Sequence, residues 1–144
     1  MSDPYDLDRF VRAQDPVYQR VREELKAGRK QSHWMWFIFP QISGLGMSEM
    51  SRRYAIASLD EARAYLAHPV LGPRLREVTG LVNAVSGRTA HEIFSSPDDQ
   101  KFRSAMTLFA RAATDNAVFT EALRKYFSSA EDPRTLALLL HQPL

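Results

Sequence analysis

The residues of this chain best equipped for chemistry lie in and just after the nine-residue stretch His33–Gln41, which holds both tryptophans, two of the eight phenylalanines and a histidine. Indole and imidazole faces can stack on a nucleobase, and Arg29 and Lys30, immediately upstream, supply cations for a phosphate. Trp34, Phe37 and Ile38 read equally well as core, with His33 satisfied by a backbone group, because bulky apolar side chains are usually buried. Downstream, Ser43-Gly44-Leu45-Gly46-Met47-Ser48 followed by Arg52 and Arg53 offers amides, hydroxyls and guanidinium groups to an anion at a helix start. It lacks the spaced glycines and the Lys-Ser or Lys-Thr ending of a Walker loop, and it also reads as an ordinary loop closed by a serine cap. The candidate ligand-binding set is therefore His33, Trp34, Trp36, Gln41, Arg53 and Tyr54.

Acid–base chemistry has thinner support. Asp98 and Asp99, beside Lys101 and Arg103, form a carboxylate pair, but adjacent acids in a first helical turn usually serve as caps. Asp99 and Glu49 stand as the two candidate catalytic carboxylates. His33, His68, His91 and His141 are scattered, and none has the i, i+4 partner of a helical zinc site, so no metal and no resident cofactor is expected. A G-x-S-x-G elbow is missing, which removes the α/β-hydrolase mechanism. Met106 and the Phe102 to Phe109 stripe have the spacing of a packed helix face rather than of a cofactor slot.

The elements that must position these residues are helical almost throughout. Asp15-Pro16 has the form of a cap and first-turn proline for a helix carrying Val17, Val21 and Leu25, which ends at Gly28. Ser58 with Glu61, and Thr89 with Glu92, have capping-box spacing. From Val70 to Val85 apolar residues recur three and four apart, with Gly72-Pro73 as a kink or boundary. Phe102, Ala105, Met106, Phe109, Ala110 and Ala113 continue the pattern, predicting a central helix opened by Ser96-Pro97-Asp98-Asp99. Asn116 and Asp132-Pro133 begin the last two helices. The expectation is an all-α single-domain bundle of about seven or eight helices, several of them short, with Lys30 to Met47 as the irregular stretch.

Composition bounds the function. At 144 residues, 44% hydrophobic and 25% charged, the chain has the length and make-up of one domain, able to bury roughly 68–70% of the surface its unfolded form exposes. Nineteen basic against seventeen acidic residues is too even a balance to gather nucleic acid or an anionic membrane. The absence of cysteine excludes disulfides, thiolate metal sites and a cysteine nucleophile, and suits a cytoplasmic setting. The acidic, proline-broken start lacks the order of a secretory signal, and the apolar run from Trp34 to Phe39 falls far short of the ~20 residues a membrane span needs.

Particular motifs carry a resemblance. Asp3-Pro4 through Ala13-Gln14, Gly28 through Gln41, Ser51-x-x-Tyr54-x-Ile56-x-Ser58, Glu61-Ala62 through Leu66-x-His68-Pro69, Leu71-Gly72-x-Arg74-Leu75, and Pro97-Asp98-Asp99 through Phe109 together resemble the bacterial domain-of-unknown-function family numbered 1810. That resemblance covers about Asp3 to Leu139 and implies an all-helical single domain with no established activity. Ser128-Ser129 departs from it, since similar chains tend to carry glycine there. More distantly, Asp99-x-Lys101-x-x-x-x-Met106 followed by Asn116-x-x-Phe119-x-x-x-Leu123 is similar to a helical pair in the NADAR proteins, N-glycosidases of ADP-ribosyl and ribosyl-phosphate conjugates. The glutamate which that family places beside an aromatic is absent; the neighbourhood reads Arg52-Arg53-Tyr54, with Glu49 out of register. Three readings follow: a binding domain for a small anionic, nucleotide-like or ADP-ribose-like ligand, an N-glycosidase using the same pocket, and a protein-interaction module. No membrane partner is expected and a nucleic acid is disfavoured. The oligomeric state is left open.

Overall fold

A computed structural model describes residues 3–141, and among these the chain forms ten helices and no strand. They are α1 (Asp8–Gln14), α2 (Tyr18–Lys26), α3 (Met35–Ile38), α4 (Glu49–Arg53), α5 (Leu59–Ala67), α6 (Leu71–Asn83), α7 (Ala90–Phe94), α8 (Asp98–Ala112), α9 (Ala117–Phe127) and α10 (Pro133–Leu140). The count exceeds the expected seven or eight because single turns fold where periodicity has too few residues to register. α3 has four residues, α4 five and α7 five. α3 lies inside the aromatic block that the sequence marks as irregular.

α8 is the central helix, with ten of its fifteen residues buried and with α5, α7, α9 and α10 packed around it. Its Phe102 meets Phe39 edge-on at 5.0 Å and stacks on Phe94 at 4.8 Å, within the range where aromatic pairs attract. Phe109 and Phe10 both meet Tyr65, so the aromatic core runs from α8 through α5 to α1. Buried polar groups join the same elements. Gln14 donates to the Phe37 carbonyl at 2.8 Å and to the Tyr65 hydroxyl at 3.0 Å, which fixes α1 against α3.

The caps largely follow the sequence. Thr89 and Glu92 form a complete capping box, Ser58 Oγ accepts from the Glu61 amide, and Asp132 accepts from the Thr135 amide. Asp15 does not cap α2. That helix begins at Tyr18 behind Val17, and Asp15 instead pairs with Arg74 of α6 at 2.8 Å. Gly72-Pro73 lies in the first turn of α6, at a boundary rather than a kink. A Cβ at Gly72 would stand 2.1 Å from the Leu66 carbonyl oxygen, so the α5–α6 corner closes only around glycine. Among the described residues no helix is long and apolar enough to cross a membrane.

Candidate functional site

α3 divides the two tryptophans. One turn of helix buries Met35, Phe37 and Ile38 and leaves Trp36 half-buried at the edge. Trp34, at its start, is 1% exposed, and its indole N–H donates to Glu24 at 2.9 Å. Glu24 also receives the Gln31 and Ser32 amides and the Ser32 hydroxyl. Burial works against ionisation of Glu24, but these hydrogen bonds outweigh it and hold the carboxyl below its ordinary value.

Pro40 then ends the aromatic run, and the following loop is pinned to the segment after α4. The Ile56 amide donates to the Gln41 carbonyl and the Ser43 amide to the Ile56 carbonyl, both at 2.8 Å, making one parallel bridge between Ile42 and Ile56. From the other side, Arg134 of α10 donates to the Leu45 carbonyl at 3.3 Å. The α4–α5 link is held in turn by Arg9, which donates to the carbonyls of Arg53 and Ala55 and pairs with buried Glu61 at 3.0 Å.

Between these elements lies a two-part cleft. The inner part, about 30 Å³ and room for a water or so, is floored by Met35, Phe39 and Tyr54 and rimmed by Trp36, Gln41, Arg52 and Lys101. The outer part, about 290 Å³, shares Gln41, Gly46 and Lys101 with the inner and continues over Gln100, Ser104, Asp132 and Arg134. That volume is at the lower end for small-molecule sites.

A carboxylate outside the lining holds one of the cleft's cations. Asp98 pairs with Lys30 at 3.0 Å and lies 3.7 Å from Lys101. The Lys30 ammonium is 5.1 Å from the Trp34 ring centroid and the Lys101 ammonium 5.5 Å from that of Trp36, both within cation–π range. Arg52 and Arg134 have no carboxylate within ion-pair distance among the described residues. The cleft thus joins an aromatic edge to three cations.

Of the six ligand candidates, the structure gathers Trp36, Gln41 and Tyr54 at the cleft. His33 is exposed and outside its lining, Trp34 is sealed against Glu24, and Arg53 is exposed with its guanidinium 5.5 Å from the Tyr54 ring centroid. Neither candidate carboxylate lines the cleft. Glu49 is exposed at the start of α4, and Asp99 turns toward His91 of α7 at 3.5 Å. Helical rotation explains both exchanges: successive residues point about 100° apart, so Arg52 reaches the cleft where Arg53 does not. Lys101, three residues after Asp98, shares that residue's face while Asp99 leaves it. Asp132, Ser104, Gln100 and Arg134 join the site from α8 and the start of α10; the sequence marks Asp132 as a helix start and marks none of the four as a site residue. Among the described residues no group of three or more metal-ligating side chains is found.

The family model described as "Protein of unknown function (DUF1810)" matches residues 4–139. A search of curated proteins gives no match. Among solved structures, the crystal structure of the conserved hypothetical protein Rv1873 from Mycobacterium tuberculosis is 60% identical, with a TM-score of 0.96 over 97% of this chain and 100% of that one. Neither match is to a NADAR protein, and the glycosidase resemblance gains nothing from them. The family match takes in the aromatic block, the bridged loop and all of α8, and the chain belongs to the DUF1810 family.

Proposed function

We propose that the protein is a binding domain for a small anionic, nucleotide-like ligand that lies in the outer part of the cleft and against the rim of the inner part, with Gln41 and Lys101 common to both and Trp36, Tyr54 and Arg52 at the inner end, in the reducing setting that a cysteine-free chain suits. The observation that carries this reading is the half-buried Trp36 indole beneath the Lys101 ammonium, with Arg52 beside them. A base can stack on the indole while the cations meet a phosphate, and the low-dielectric floor of Met35 and Phe39 strengthens that attraction. The N-glycosidase alternative is not adopted, since the two carboxylates it would use, Glu49 and Asp99, both lie outside the cleft lining, and the single carboxylate that does line it, Asp132, cannot fill the acid and the stabilising role together.

Titration calorimetry with AMP and ADP-ribose tests the reading. Binding is expected for the native chain, with at least tenfold loss in Trp36→Ala and in Lys101→Met while the circular dichroism spectrum stays helical. Absence of binding by both nucleotides, or binding indifferent to both substitutions, overturns it.

A further inference from the structure

Asp132 occupies an unusual position for an N-cap. It is 9% exposed, yet it lines the outer cleft with Ser104, Gln100, Lys101 and Arg134. Capping α10 needs one carboxylate oxygen for the Thr135 amide, at 3.1 Å. Here the same oxygen, Oδ2, also receives the Thr135 hydroxyl at 2.6 Å and the Ser104 hydroxyl, from α8, at 2.9 Å. The Asp132 amide in turn donates to the Thr107 hydroxyl at 2.9 Å. Three hydrogen bonds from two helices therefore hold Oδ2, and the Thr107 contact holds the main chain beneath it. All the donors to the side chain meet Oδ2, and none among the described residues reaches Oδ1.

Oδ1 is thus the open acceptor of the carboxylate, within reach of solvent at the cleft, where a ligand donor can take the place of water. Neither Lys101 nor Arg134 forms an ion pair with it, although both line the same cleft. The donor that fits is neutral and compact, because a second cation would compete with those already facing the ligand's anion. A sugar hydroxyl meets that description.

We propose that Asp132 reads a hydroxyl of the ligand, so that the cleft takes a phosphorylated sugar, a ribonucleotide where Trp36 stacks its base, in preference to an anion lacking hydroxyls. This rests on the binding reading above and narrows its ligand class. Ser104 and Thr135 act as positioning residues that hold Oδ2 and thereby aim Oδ1.

The test compares AMP with 2′,3′-dideoxy-AMP on the native chain and on Asp132→Asn by titration calorimetry. Asparagine keeps the cap, since its amide oxygen is the atom that can accept from the Thr135 amide and both hydroxyls, and this turns its NH₂ toward the cleft as a donor. The native chain should prefer AMP by roughly tenfold or more, the worth of a hydrogen bond to a charged acceptor. Asp132→Asn should abolish that preference by weakening AMP, leaving dideoxy-AMP unchanged or tighter because a negative charge has left an anion site. Equal native affinities for the two nucleotides, or an equal loss of both in Asp132→Asn, overturns the hydroxyl assignment and leaves the binding reading standing. Absence of native binding by either nucleotide overturns both. The native comparison decides the matter even where the variant does not fold.

Discussion

Glu24 receives the Trp34 indole N–H at 2.9 Å, so the more deeply buried of the two tryptophans is anchored to α2 by a carboxylate. Because its hydrogen bonds hold Glu24 below the ordinary value of 4.5, its folded form favours the charged state more than the unfolded chain does. The stability this contributes is fully present above that ordinary value and is lost as the pH falls through the lowered one. Glu24→Gln should therefore cost about 2 kcal/mol at pH 7, as hydrogen bonds to a charged group typically do. The difference from the native chain should shrink toward pH 3, and urea unfolding at the two pH values measures it.

Arg9 and Glu61 make the most deeply buried ion pair among the described residues, with side chains 15% and 4% exposed. Arg9→Met leaves the Glu61 charge uncompensated and strips donors from the Arg53 and Ala55 carbonyls, a loss of about 3–5 kcal/mol. The double variant Arg9→Met, Glu61→Gln should lose less than the sum of the two single variants, because each alone leaves a charge stranded. Chemical unfolding of all four forms closes the cycle.

The two tryptophans should respond differently to a soluble quencher. Trp34 is sealed and Trp36 reaches the surface, so acrylamide should quench only part of the fluorescence. Trp36→Phe should leave emission that is shifted to the blue and resists quenching, and AMP should protect the quenchable fraction of the native chain. Quenching of both indoles to the same degree would contradict this arrangement.

Ser128 and Ser129 end α9 with φ of +54° and +65°, a left-handed backbone that costs a side-chain-bearing residue energy. The turn is retained because the Ser129 amide returns to the Leu123 carbonyl at 2.9 Å. Ser128→Gly should relieve that cost and stabilise the fold by about 0.5–1 kcal/mol, seen as a rise in Tm with no change in the circular dichroism spectrum.

Helices with two or more turns of amphipathic spacing, such as α6, α8 and α9, were legible in the chain, and so were caps whose partners lie three residues away. Ser58 with Glu61 and Thr89 with Glu92 are of that kind. α3 was not, because four consecutive bulky apolar residues show no period. The site was half legible for a related reason. Trp36, Gln41 and Tyr54 could be chosen by type, whereas the choice between Arg52 and Arg53 depends on the helix's rotation about its own axis. Asp132 and Ser104 lie 28 residues apart, and only the packing of α10 on α8 brings them together.

The Gly72 contact with the Leu66 carbonyl has an evolutionary consequence. Every other amino acid adds at least a methyl group, and that methyl would meet a main-chain atom that cannot rotate aside. Replacement there cannot be rescued by trimming a neighbour. It requires the two helices to part, carrying the aromatic seam between Tyr65 and Phe109 with them. A randomised library at this codon should return glycine alone among well-folded clones, which makes the bend a fixed point around which the rest of the chain is free to diverge.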